Sequence, residues 1–224
     1  MNTKRIALIL AIAALVLCLC SCGGVKIEYD QDNGSYTAKN GKVYFRAPSS
    51  YEPVAYDSEK AYGSLTVGIG EFELFTMTNA PVEGDWLTTA ERDVLYAEGA
   101  SLPALQDFGT DRVLICREGE KIHAIHTITD SAEIEALIGL YLEGESIAYP
   151  TRVAKESLRL RFASKENPHL YYRLTYLEYS SDVIVYGTDE NGAETETNYG
   201  KYFLYDRDEG RCVPVGDVIH KYVE

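Results

Sequence analysis

The sequence predicts an α+β fold, a mostly antiparallel β-sheet meander carrying two or three helices. Three observations lead there. Short stretches alternate apolar and polar residues along most of the chain, and Gly, Asn and Asp punctuate them as turns. Only one segment combines helical spacing with a recognisable signal at each end.

Along the chain, "YDQDNG" at 29–34 falls between two such stretches, and "YDRDEG" at 205–210 nearly repeats it. A helix-loop-helix calcium site needs oxygens at positions 1, 3 and 5, Gly at 6 and Glu at 12. Counted from Asp30 and from Asp206, Gly arrives at position 5, and position 12 is Gly41 or Asp217. Hairpin turns are therefore predicted, with Asp bonding nearby backbone and Gly supplying a positive φ. "KVYFRA" follows the turn "KNG" as a hairpin strand, and "EFELFTMT" reads as another. A helix is predicted from about Trp86 to Glu98, before Gly99. The best-marked helix runs from Ser131 to Glu143: Asp130 caps it, Glu133 completes a capping box, and Gly144 follows. Its apolar stripe is Ile134, Leu137, Ile138, Tyr141 and Leu142. "SLRLRFAS" sets Leu158, Leu160 and Phe162 on one face and Arg159 and Arg161 on the other. "YYRLTYLEY", "DVIVYG", "AETETNYG" and "KYFLYD" extend the meander, and Val218 to Val223 offers a short last helix. The order strand, Gly turn, strand, Asp cap, helix occurs around Cys116 and again around Cys212, a weak internal hairpin-helix repeat.

At the N-terminus, Lys4 and Arg5 precede an apolar run from Ile6 to Cys20. That is the shape of a secretion signal, and the run is shorter than the ~20 residues a membrane-spanning helix needs. Leu19-Cys20-Ser21-Cys22 resembles the lipobox of bacterial lipoproteins, with an aliphatic residue at −3 and a small one at −1. The resemblance implies cleavage before Cys22, a diacylglyceryl group on its sulfur, and an extracytoplasmic protein anchored to the bacterial cell membrane. Two acyl chains suffice for stable anchoring. The expected organisation is a signal at 1–21, a lipidated tether at 22–26 and one globular domain at 27–224, with sub-halves meeting near residue 150.

The net charge is −14, and losing Lys4 and Arg5 with the leader makes it two charges more negative. Without clustered Lys and Arg there is nothing to displace phosphate counterions, so nucleic acid is excluded as a partner. Cys116 and Cys212 remain after processing, either as a disulfide or as two buried thiols. His123 and His126, in a segment that alternates like a strand, fall on opposite faces, so no metal is expected. No cofactor is expected either: the catalytic and phosphate-binding motifs G-x-S-x-G, H-E-x-x-H and G-x-x-x-x-G-K are missing. With 18 Tyr against 6 Phe and one Trp, the chain is rich in rings with polar tips. Tyr172, Tyr176 and Tyr202, with Arg159, Arg161 and Arg173, make up the candidate binding face. Glu178, Glu194 and Glu196 are the expected partners of the three arginines. The function expected is a non-catalytic binding or accessory module, acting on an envelope protein or glycan through the Tyr-rich face. The alternative is an envelope hydrolase of glycan or peptide, using paired carboxylates.

Overall fold

The computed structural model describes residues 24–117 and 123–223, so the leader and Cys22 lie outside the described residues. The chain gathers into two compact units. One comprises the residues up to Arg46 together with Ala55–Ala100, and the other Ala47–Val54 together with Ser101–Glu224. The chain passes between the units at 46/47, 54/55 and 100/101. No linker composition marks the last of these, because "EGASLPAL" reads as any other turn.

The first unit is a closed seven-stranded barrel, not part of a meander. Its strands are β1 (Val25–Asp30), β2 (Ser35–Ala38), β3 (Val43–Arg46), β5 (Gly63–Val67), β6 (Gly70–Thr76), β7 (Trp86–Thr88) and β8 (Val94–Ala97), while β4 (Tyr51–Pro53) belongs to the other unit. Around the barrel they run β1-β2-β3-β8-β7-β6-β5. Closure is made by a parallel joint between β1 and β5, where Val25 pairs with Gly63. A Cβ on Gly63 would sit 1.9 Å from the Val25 carbonyl oxygen, so the joint depends on glycine. Ile27, Tyr44, Leu65, Leu74, Leu87 and Leu95 fill the interior. Each such side chain contributes about 1.5–3 kcal/mol by leaving water.

The helix expected over Trp86 to Glu98 is instead the β7–β8 hairpin, with Leu87 opposite Leu95. Trp86, Leu87 and Thr88 are all buried, so both faces of β7 are covered and the period-two signal disappears. Apolar residues that happened to match helical spacing are really the two arms of a hairpin that turns at Arg92, whose φ is 71°. Tertiary pairing overrode the local pattern.

The second unit is built on a mixed-length antiparallel sheet: β9 (Thr110–Arg117), β10 (His123–Ile128), β11 (Glu156–Ser164), β12 (Leu170–Glu178), β15 (Tyr202–Asp206) and β16 (Arg211–Pro214). Their order is β10-β9-β11-β12-β15-β16. The outer edge of β12 is shared, with β4 paired at Leu170–Tyr172 and β15 at Thr175–Glu178. The helix α1 (Ser131–Glu143) falls where predicted, and the Asp130 carboxylate accepts the Glu133 amide at 3.0 Å. Ile134, Leu137 and Tyr141 are its buried stripe. Arg211 fixes the far end, donating to the Tyr141, Leu142 and Gly144 carbonyls at 2.7–3.2 Å. A cation at a helix C-terminus also suits the helix dipole.

Among the described residues α1 is the single α-helix. The helix expected from Val218 to Val223 is a three-residue 3-10 turn, His220–Tyr222, because six residues are too few to propagate a helix once nucleation has been met. The weak repeat survives only as two hairpins, β9–β10 and β15–β16, at opposite ends of the sheet order. Only the first leads into an α-helix, and Cys116 and Cys212 sit on unlike strands of their hairpins. A further hairpin, β13 (Ile184–Thr188) with β14 (Glu194–Asn198), forms its own two-stranded sheet.

Candidate anion-binding groove

Register brings four strand ends level at one end of the second unit's sheet. Arg117 pairs with Leu158, Glu156 with Glu178, and Glu178 with Tyr202. The end of β9, the start of β11, the end of β12 and the start of β15 therefore meet, and the C-terminal turn adds His220 as a wall. A cleft of about 370 Å³ opens among them. Arg117, Lys155 and Lys201 line it, together with Glu156 and Glu178.

Glu178 is the most deeply held of these groups, its side chain 7% exposed. One carboxylate oxygen accepts from the Lys155 ammonium, and the other lies 3.2 Å from His220 Nδ1. The hydrogen bond to Glu178 raises the Lys155 pKa, so this lysine stays charged. Arg117 Nε donates to Glu156 at 3.2 Å. Lys201 is exposed and has no ion-pair partner among the described residues. The floor is aromatic: the Tyr202 ring lies parallel to Tyr176 at 6.3 Å and against His220 at 4.9 Å.

Among the described residues that line the cleft, the carboxylates are Glu156 and Glu178, and each is engaged by a cation.

The expected tyrosine face does not form. Tyr172 and Tyr176 are 5% and 0% exposed, packed in the sheet's core, and of the three nominated tyrosines only Tyr202 reaches an opening. Alternation placed them correctly on one side of β12, but that side is buried: Tyr172 packs against Tyr51, Phe108 and Phe162, and Tyr176 stacks on Tyr202. Arg159, Arg161 and Arg173 do share a face, yet not with their expected partners. All three converge on Glu52 of β4: Arg161 Nε at 2.6 Å, Arg173 Nη1 at 2.6 Å and Arg159 Nη1 at 3.1 Å. Arg161 is 1% exposed and Glu52 3%. Burial pushes the Glu52 pKa up, but the guanidinium groups of Arg161 and Arg173 outweigh it and hold the carboxyl below its ordinary value. Glu194 and Glu196 lie on the exposed β13–β14 hairpin instead.

Cys116 and Cys212 are both buried free thiols. They stand on β9 and β16, four strand spacings apart or roughly 19 Å, whereas a disulfide spans at most about 7 Å between Cα atoms. Burial pushes the Cys212 thiol up to about 11, away from reactivity. His123 and His126 turn out to share a face of β10. The register shifts between Ala124 and His126, which sets the two histidines beside Arg117 and Ile115, two residues apart on β9. A bulge cannot be read from alternation. No cluster of three metal-ligating side chains occurs among the described residues.

Glu52 and the groove's Arg117, Lys155, Lys201 and His220 are the residues that sequence reasoning missed. Only Lys155 and Lys201 carried any signal, each lying just before a strand that alternation identifies. Comparison with protein-family models, curated proteins and solved structures finds no match to this chain. No described helix is long and apolar enough to cross a membrane.

Proposed function

We propose that this chain is a lipid-anchored, non-catalytic binding module of the cell envelope. It holds the anionic group of an envelope protein or glycan, a carboxylate or phosphate, in the groove of Arg117, Lys155 and Lys201. The anchor rests on the lipobox-like Leu19-Cys20-Ser21-Cys22 and its acyl chains on Cys22. The binding reading rests on one observation: in a protein of net charge −14, three cationic side chains open into one cleft, and Lys201 is left without an ion-pair partner among the described residues. An unneutralised ammonium beside an aromatic floor favours a ligand that brings negative charge and some apolar surface.

Titration with citrate and with inorganic phosphate, followed by amide chemical shifts, tests the groove. Shifts should centre on Arg117, Lys155, Lys201 and Tyr202, and Lys201→Glu combined with Arg117→Glu should weaken binding at least tenfold without lowering the melting temperature. Shifts spread evenly over the surface would defeat the reading. Metabolic labelling with a fatty-acid analogue tests the anchor: wild-type protein should take up label and Cys22→Ser should not.

A further inference from the structure

Among the described residues the β13–β14 hairpin has no partner in either of the other sheets. Ile184–Thr188 and Glu194–Asn198 pair only with each other, and all ten residues are exposed. Its base is fixed: the Val183 and Tyr199 amides bond across it at 2.7 and 2.9 Å, and Asn198 donates to the Asp182 carboxylate at 2.8 Å. Beyond that base, a two-stranded ribbon in water is only marginally stable without a third element.

The two open edges differ. β14 alternates Glu194 and Glu196 with threonines, and charge on an edge strand discourages pairing. β13 has no such guard. Ile184, Val185 and Tyr186 are 40, 44 and 73% exposed in a row, with no charged residue from Val183 to Thr188. Around this apolar edge the segment from Asp182 to Asn198 carries five acids and neither Lys nor Arg.

We propose that β13 is an interaction edge that accepts a strand from a basic protein. The partner strand extends the ribbon through main-chain hydrogen bonds along 184–188; because Tyr186 lies opposite Glu196 and Thr188 opposite Glu194, its Lys or Arg residues lay their apolar stems over Ile184 and Tyr186 and carry their charges toward Glu194 and Glu196. Charge decides the kind of partner. A second copy would bring five more acids to the same place on a chain of net charge −14, whereas a cationic strand neutralises them. The edge is separate from the groove and does not depend on it.

The probe is a capped six-residue peptide alternating Lys and Val, added to the mature protein, with backbone hydrogen exchange as the readout. Protection should rise within 184–188, and affinity should fall at least tenfold in Tyr186→Lys and on raising salt from 0.05 to 0.5 M, because exposed ion pairs are screened. A variant in which Asn-Gly replaces residues 185–197 keeps the Ile184–Asn198 base and should lose binding while retaining its melting temperature. Equal binding by that variant, equal binding of a Glu-Val peptide, or protection outside 184–188 would overturn the proposal. A dimer in sedimentation that disappears with the hairpin would overturn it in favour of a second copy.

Discussion

Two loops with nearly the same letters meet different fates. Both are hairpin turns of one register: Asp30 pairs with Ser35 and Asp206 with Arg211, and Gly34 and Gly210 take φ of 67° and 61°. In each, the leading Asp accepts the amide two residues on, at 3.0 and 2.9 Å. In the first loop the remaining side-chain bonds stay within the turn, Asn33 donating to Asp30's other oxygen at 2.9 Å and accepting the Ser35 amide at 3.0 Å, and residues 31–34 are exposed to water. The second is a junction. Asp206 is 2% exposed and its other oxygen accepts the Tyr172 hydroxyl at 3.1 Å. Asp208 accepts from Ser49 and the Ser50 amide, and Glu209 from the Tyr141 hydroxyl. One turn thus ties the segment before β4, the centre of β12 and α1 together. Six letters specify how the backbone reverses, and the surroundings specify what else the side chains must hold.

The comparison can be broken by removing the shared residue. Asp206→Ala orphans the buried Tyr172 hydroxyl together with two loop amides, and each unsatisfied buried group costs about 1–3 kcal/mol, so a loss of about 3 kcal/mol in chemical denaturation is expected. Acid should separate the units next. Burial lowers the His169 pKa to about 4 from 6.5, so this histidine stays neutral in the fold while the unfolded chain takes up a proton. Its contribution is complete above pH 6.5 and fades as pH falls toward 4, by about 2–3 kcal/mol. Glu52, whose folded pKa is depressed, contributes above its ordinary 4.5 and loses that contribution as pH falls further. Both groups belong to the second unit, so hydrogen exchange should show it loosening before the barrel, and His169→Gln should flatten the slope between pH 6.5 and 4. A smaller effect, about 1–2 kcal/mol, is expected from Arg211→Ala, which frees the last carbonyls of α1. The smallest should come from Asp30→Ala, under about 1 kcal/mol, since water replaces the lost turn bonds. If Asp30→Ala and Asp206→Ala cost the same, burial is not what distinguishes the loops.

The arginine cluster belongs with the second loop as a product of long-range packing. Three guanidinium groups on β11 and β12 were legible as one polar face, because alternation is local. Their counter-ion was not, because Glu52 lies 107–121 residues away on a three-residue strand with no pattern of its own. Replacing Glu52 with Gln should cost about 3–5 kcal/mol in the same denaturation assay, leaving Arg161 buried and uncompensated. The groove was hidden for a similar reason: its residues come from four strand ends and the C-terminal turn, and only register makes them neighbours.

By itself, the sequence determined the features that depend on a few neighbouring residues. These are both aspartate turns, the strands from Glu156 to Glu178, and α1 with its Asp130 cap, where backbone preference and side-chain hydrogen bonds act within four or five positions. Tertiary structure alone decided the rest: that β1 closes on β5 through Gly63, that Trp86–Thr88 is strand and not helix, that Tyr172 and Tyr176 are buried in the fold, and that Glu52 neutralises the arginines. Burial and pairing energies of several kcal/mol outweigh local preferences of a few tenths to one, so wherever the two disagree the distant contact prevails.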